Sequence, residues 1–151
     1  MTTNDVMAPD ALMRAVVFLV ALAAMLVGHT LGDHVAQTDR QATLKSTPGR
    51  AGWRALSGHL FSYHLTVIGV LLLTAAALRL PLSPSGVVAG LAFSAVTHGL
   101  LDRRWPVRAV LRATRSPEFA ETTSPICGMY VADQALHKGA LLVSALLVAG
   151  L

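Results

Sequence analysis

The chain of 151 residues is 54% hydrophobic and only 13% charged, with a mean hydropathy of +0.58 and a net charge of +4. Because soluble domains are about 25% charged, this composition excludes an ordinary water-soluble protein. Each membrane-spanning helix needs about 20 apolar residues, so the length suits one bundle of a few helices. The single cysteine, Cys127, excludes an internal disulfide and a CxxC motif. The sequence therefore predicts an all-α, polytopic membrane protein with a single domain over residues 1–151.

The first apolar run, Ala15 to Gly28, is too short to cross the hydrocarbon core by itself. It reaches spanning length only if it continues through His29 and Asp33, which predicts a first span at about 12–35. A signal peptide is the competing interpretation, but the residues before the run carry one Arg against two Asp, and no cleavage site follows it. His29 and Asp33 are therefore expected inside the membrane.

Three further spans are predicted, at about 56–79, 85–101 and 130–151. A proline-rich turn, RLPLSPSG, separates the second from the third, and the last reaches spanning length only by including the polar residues at its start. Gly86 and Gly90 have the GxxxG spacing that allows another helix to approach closely. The predicted architecture is a four-helix transmembrane bundle made of two helical hairpins.

The basic residues predict the orientation of the bundle, because cytoplasmic loops are enriched in Lys and Arg. Nine such residues lie in the first and third connections, against two in the N-terminal tail and the second connection. The nine are Arg40, Lys45, Arg50, Arg54, Arg103, Arg104, Arg108, Arg112 and Arg115, and the two are Arg14 and Arg79. We therefore expect a multi-pass protein of the bacterial inner membrane with cytoplasmic basic loops and both termini outside.

The third connection has a helical pattern, with Arg104, Arg108 and Arg112 every four residues and Val107 and Leu111 on the other side. One interpretation is a solvated basic loop that fixes the topology. The other is a short interfacial helix that binds anionic lipid headgroups. A nucleic-acid partner is not expected, because these arginines lie beside membrane spans and lack interleaved stacking aromatics. The expected partners are membrane lipids, and the sequence also allows a homo-oligomer.

Each span carries one polar pair, four residues apart, near its predicted cytoplasmic end. Residues at i and i+4 share a helix face, and reversal of the chain between spans brings the four pairs to a similar depth. A charged group deep in a span costs on the order of 3 kcal/mol, so such residues usually face the bundle interior and pair. The pairs are His29 and Asp33, His59 and Tyr63, His98 and Asp102, and Asp133 and His137. His34 and His64 point about 100° away from these faces and are left out of the predicted site.

Three carboxylates buried at one depth need compensation, and a divalent cation supplies more of it than hydrogen bonds from histidine. Imidazole nitrogen and carboxylate oxygen are ligands for zinc, manganese and iron. The predicted metal ligands are His29, Asp33, His98, Asp102, Asp133 and His137. His59 and Tyr63 are the predicted catalytic residues, as proton donors or partners of the ligands. A proton or ion relay and purely structural polar packing are the open alternatives.

Four stretches, GHTLGDHVAQTD, HLFSYHLT, THGLLDRRWP and ADQALHKG, resemble a bacterial integral-membrane family classed as domain of unknown function 3307, in particular its actinobacterial members. The resemblance covers all four spans and implies the architecture and a residue set, without a reaction. The chain departs from the family at His34, where an aromatic residue is usual, and in its short segment 115–127. Besides the polar pairs, the resemblance marks Gly32, Gln37, Asp39 and Gln134.

Two classes of function follow from these features. The first is a membrane-embedded, metal-dependent hydrolase in which a divalent ion activates water for attack on an ester or phosphoester of a lipid presented from the inner leaflet. The second is non-enzymatic, namely an ion or proton transporter or a membrane accessory subunit. The outer halves of the spans are almost entirely Ala, Leu and Val, interrupted mainly by Thr66 and Thr74. This apolar character disfavours a complete ion path through one copy of the chain.

Overall fold

Four helices that are long and apolar enough to cross a membrane form the framework of the protein in a computed structural model, which describes residues 8–151. They are α1 (Pro9–His34), α3 (Gly49–Leu78), α4 (Pro84–Leu101) and α6 (Gly128–Gly150). Two short helices, α2 (Asp39–Leu44) and α5 (Trp105–Ala113), and a 3-10 turn (Pro117–Glu121) lie in the connections. Large apolar side chains such as Phe61 and Leu73, both 73% exposed, cover the outer surface of the bundle. The predicted all-helical, four-span architecture is confirmed.

The second long helix begins earlier than the sequence predicts. α3 starts at Gly49 rather than near residue 56, so Arg50 and Arg54 lie on its first two turns and are exposed there. Pro48 precedes this helix, where its extended backbone ends the connection from α2. The basic residues of the first and third connections therefore lie at the same end of the bundle. We call this end, which carries α2 and α5, the basic end.

The apolar core occupies the half of the bundle away from the basic end. α1 lies between α3 and α6, and the three helices bury their Ala, Val, Leu and Met side chains against one another. The buried residues are Val17, Ala21, Ala24, Met25, Val67, Leu71, Leu141, Ala145 and Val148. The buried histidines and carboxylates lie in the other half of the bundle.

α4 is held against α6 by a close contact between backbones. A Cβ atom at Gly86 would lie 2.6 Å from the backbone oxygen of Val148, and one at Gly90 would lie 2.7 Å from that of Ser144. Neither oxygen can move without shifting α6. The expectation that Gly86 and Gly90 allow a close helix approach is confirmed.

The basic connection after α4 forms the short helix α5. Val107 and Leu111 are buried against Met129 of α6 and the 3-10 turn, whereas Arg104, Arg108 and Arg112 are exposed. The structure shows that this connection contains a short helix, whereas its binding to lipid headgroups stays a prediction. Val107 and Leu111 contact the protein itself, and Trp105 and Val110 are exposed beside the arginines.

We expect Gly90→Ala to lower the free energy of unfolding by about 1–3 kcal/mol, because the added methyl group overpacks the contact between α4 and α6. The measurement is circular dichroism during titration with sodium dodecyl sulfate in mixed micelles. Gly69→Ala is the matched control, since no atom lies within 4 Å of a Cβ at that helical position. Equal free energies of unfolding for the two variants would contradict the packing argument.

Candidate functional site

The four predicted pairs meet between α1, α3, α4 and α6 near the basic end. The histidines, Tyr63 and Asp102 of the pairs are 0–3% exposed, and the side chains of Asp33 and Asp133 are 6% and 18% exposed. Gln37 and Gln134 lie beside them and contact members of the pairs. Asp39 begins α2 and is exposed, so the structure places it outside the cluster.

Four side-chain atoms from three different spans make up the centre of the cluster. His59 Nε2 lies 3.0 Å from His98 Nε2. Asp102 Oδ2 lies 3.3 Å from His59 Nε2 and 3.2 Å from His98 Nε2. Asp33 Oδ1 lies 3.2 Å and 3.6 Å from the same two nitrogens. We call His59, His98, Asp33 and Asp102 the central group.

Several atoms at this centre lack the hydrogen bonds that buried polar atoms require. Asp33 Oδ1 and Asp102 Oδ2 have no hydrogen-bond partner in the part of the chain that the structure describes, and neither do His98 Nδ1 and His137 Nε2. A buried polar atom without a partner costs about 1–3 kcal/mol. Moreover, two imidazole nitrogens that face each other can share only one proton. The centre is therefore an arrangement that a cation would stabilise.

A chain of hydrogen bonds orients Asp33 toward the central group. The Gln134 amide nitrogen donates to Asp33 Oδ2 at 3.1 Å, which leaves Gln134 Oε1 to accept from His29 Nε2 at 3.0 Å. His29 Nδ1 then accepts from the Tyr63 hydroxyl at 3.2 Å. Gly32 permits this arrangement, because a Cβ there would lie 2.7 Å from the Tyr63 ring. Both ring nitrogens of His29 are thus engaged, and Asp33 Oδ1 is left to face His59 and His98.

Lys45 is part of the cluster, although the sequence counts it only as a residue that sets the topology. Its Nζ lies 2.7 Å from Asp102 Oδ1 and 3.3 Å from His59 Nε2. Arg103 donates to the Lys45 carbonyl at 2.9 Å and fixes the end of α2 there. The TDRQ stretch is the sequence signal for this helix, because Thr38 and Gln41 form a capping box.

The charge of Asp102 is stabilised by its surroundings. Burial alone would raise the pKa of its carboxyl group, but the close approach of His98 Nε2 and the positive charge of Lys45 outweigh burial and lower the pKa to about 2. Asp102 follows the last residue of α4, so it lies at the membrane edge of the site. It therefore carries a negative charge throughout the physiological pH range.

Asp133 and His137 lie next to the central group on α6. His137 Nδ1 donates to the Asp133 carbonyl at 2.9 Å, so its buried Nε2 carries a lone pair that has no partner. The site contains three overlapping sets of three residues. Each residue of a set offers one ligand atom, and the three atoms lie within 4.8 Å of one another. These sets are His29, Asp33 and His98; His59, His98 and Asp102; and Asp102, Asp133 and His137.

A cavity of about 270 Å³ opens beside the cluster at the basic end. Carboxylates of Asp33, Asp102 and Asp133 line it, together with the cationic side chains of Lys45 and Arg104. Small polar molecules can therefore reach the carboxylates from the basic end without crossing the apolar core.

Residues 21–150 match the family described as "Protein of unknown function (DUF3307)". The chain belongs to this family. No curated protein and no solved structure matches the chain. The DUF3307 description carries no reaction, so the function has to be argued from the cluster itself. All the polar pairs and Lys45 lie within the matched residues.

We expect Lys45→Met to lower the free energy of unfolding by about 3 kcal/mol, because it leaves the Asp102 carboxylate buried without its cation. The variant Lys45→Met with Asp102→Asn is expected to lose less than the sum of the two single changes. Arg108→Met is the matched control, since Arg108 and Glu121 form an exposed ion pair, which contributes less than about 1 kcal/mol. Detergent titration followed by circular dichroism measures all four variants. An equal loss for Lys45→Met and Arg108→Met would contradict the assigned role of Lys45.

Proposed function

We propose that the central group binds a divalent cation and that the protein is a membrane-embedded, metal-dependent hydrolase. The spacing of the ligand atoms carries the proposal. A tetrahedral zinc ion with bonds of about 2.0–2.2 Å has ligand atoms about 3.3–3.6 Å apart. His59, His98 and Asp102 form a triangle with edges of 3.0, 3.3 and 3.2 Å. Asp33 forms a second triangle with the two histidines, with edges of 3.0, 3.2 and 3.6 Å.

The charges of the site also favour a divalent cation. Asp33, Asp102 and Asp133 carry three negative charges when ionised, and Lys45 supplies one positive charge beside them. A divalent cation together with Lys45 balances the three carboxylates, which removes the cost of unbalanced charge near the membrane interior. Two histidines and one carboxylate are a ligand set of catalytic zinc, which keeps a fourth position open for water, and manganese and iron accept the same ligand types.

The geometry supports revised roles for the predicted catalytic residues. His59 lies among the ligand atoms, so we assign it as a ligand rather than a proton donor. Gln37 Nε2 lies 2.9 Å from His59 Nδ1, and a flip of the Gln37 amide would let Oε1 accept a hydrogen bond from that nitrogen. Tyr63 and His29 hold Asp33 through Gln134, which makes them positioning residues.

The proposed reaction is hydrolysis of an ester or phosphoester at the cavity. A bound divalent ion would polarise the substrate oxygen and make water more acidic. The water oxygen bonds to the carbonyl carbon or phosphorus, the bond to the leaving oxygen breaks, and the proton from water passes to that oxygen. Asp133 lines the cavity and is the base for this proton transfer, while Arg104 attracts an anionic substrate.

The apolar core is the reason that we rank an ion or proton transporter second. The core beyond the cluster consists of side chains such as Val67, Leu71 and Leu141, each at most 2% exposed. An ion that crossed this layer would lose its hydration without gaining polar ligands. A hydrolase needs access from only one side of the membrane, which the cavity at the basic end provides.

We expect protein purified in detergent to retain about one equivalent of zinc, measured by inductively coupled plasma mass spectrometry. His98→Ala and Asp102→Asn should each lower metal retention at least about tenfold, because each removes a ligand. His34→Gln is the control, since His34 is exposed and lies outside the central group. Two equivalents would assign a second ion to Asp102, Asp133 and His137. Less than about one tenth of an equivalent, unchanged in the variants, would contradict the metal centre.

Hydrolysis is tested separately on the metal-loaded protein. The probes are p-nitrophenyl acyl esters and bis-p-nitrophenyl phosphate in mixed micelles. We expect release of p-nitrophenol that falls at least about 100-fold in Asp133→Asn while its central-group metal is retained, because this change removes only the proposed base. Metal retention without any hydrolysis by the unaltered protein would leave the metal centre standing and contradict the hydrolase.

We also propose that the basic end faces the cytoplasm, as the Lys and Arg distribution predicts. Cys127 is exposed and directly precedes α6 at this end. We expect a membrane-impermeant maleimide to label Cys127 only after cells that express the protein are permeabilised. Labelling of Cys127 in intact cells would reverse the orientation.

A further inference from the structure

A groove of about 460 Å³ lies on the outer surface of the bundle, between α1 and α6. Its walls are exposed residues of the two spans, among them Thr30, Val131 and Ala135. Because these positions lie on membrane-spanning helices, the groove opens toward the lipid rather than toward either aqueous phase. The groove is thus a lateral opening in the spanning part of the protein.

The groove and the cavity of the cluster share one wall. His34, Tyr130 and Gln134 line both of them. His34 Nδ1 donates to the Thr30 carbonyl at 2.9 Å, so its Nε2 accepts from the Tyr130 hydroxyl at 2.6 Å. This single contact between two exposed side chains lies across the boundary between groove and cavity.

Lys138 supplies a positive charge at the deep end of the groove. It lies four residues beyond Gln134 on α6, about 6 Å farther from the basic end, and directly follows His137 of the cluster. It is exposed and has no hydrogen bond or ion pair within residues 8–151. A helical side chain leans toward the helix N-terminus, which for α6 is the basic end, so Lys138 extends along the groove toward Tyr130. In this direction its ammonium group reaches the level of the lipid headgroups, where phosphate is available as a partner.

We propose that this groove binds an anionic phospholipid from the membrane, with the headgroup phosphate against Lys138 and the acyl chains along α1 and α6. The headgroup then reaches the carboxylate-lined cavity past His34 and Tyr130. The assignment of this lipid as the substrate rests on the proposed hydrolase function, whereas its binding does not. Charge complementarity and the opening toward lipid both favour this occupant over a soluble phosphate.

The test is photochemical labelling in nanodiscs of phosphatidylcholine that contain a small fraction of phosphatidylglycerol with a diazirine beside the headgroup. We expect the label on residues of the groove, mapped by mass spectrometry to the segments around Thr30 and Val131. Lys138→Gln should weaken lipid binding about tenfold, equivalent to about 1.4 kcal/mol. Ala135→Phe, which fills the groove without changing a charge, should cause a similar loss.

Arg112→Gln is the matched control, because it removes an exposed positive charge at the basic end of the bundle, outside the groove. Its labelling should equal that of the unaltered protein. Glycerol 3-phosphate serves as the soluble competitor and should not displace the lipid label. Unchanged labelling in Lys138→Gln and Ala135→Phe, an even distribution of label over all four spans, or full displacement by glycerol 3-phosphate would overturn the proposal.

Metal content is measured in the same samples, which separates the two proposals. We expect Lys138→Gln to retain its metal and His98→Ala to retain its groove labelling. Groove labelling in a protein that binds no metal would refute the metal centre and leave the lipid site standing. Metal retention without groove labelling would refute the lipid site alone.

Discussion

The rest of the structure depends on the burial of carboxylates between membrane-spanning helices. Asp33 and Asp102 approach His59 and His98 from two different spans, and Lys45 approaches Asp102 from the connection after α1. Carboxylates in such a position are tolerated only when nearby groups balance their charge. The requirement explains why the first connection folds back onto the bundle, since α2 ends where Lys45 can reach Asp102. It also explains why one bound divalent ion would stabilise the fold as well as serve a reaction.

The division of the bundle into two halves follows from the same constraint. Close backbone contacts, such as that of Gly90 with the carbonyl of Ser144, and apolar side chains hold the helices together far from the basic end. Lipid tails are as apolar as the side chains, so this half depends on close packing rather than on exclusion of water. The polar half can then carry unpartnered atoms such as Asp33 Oδ1, because the apolar half supplies the packing.

The sequence predicts much of this arrangement because it follows from two features, a residue spacing and a span length, that do not depend on tertiary contacts. A spacing of four residues puts His98 and Asp102 on one helix face, and the length of hydrocarbon to be crossed places both near a span end. Neither feature predicts a contact from outside the spans. The contact of Lys45 with Asp102 could therefore not be predicted without knowing the path of α2. The contact between His34 and Tyr130 was missed for a related reason, because it depends on the rotation of α1 against α6.

The position of the cluster at a span end gives it access to two different environments. The cavity beside Asp133 is open at the basic end, where water and an anionic headgroup are available. The groove beside Lys138 lies on the outer surface of the spanning helices α1 and α6. For a lipid substrate, a site in the middle of the bundle would lie too deep for the headgroup to reach. A site on a loop would require the lipid to leave the membrane. His34 and Tyr130 lie between the cavity and the groove and line both of them.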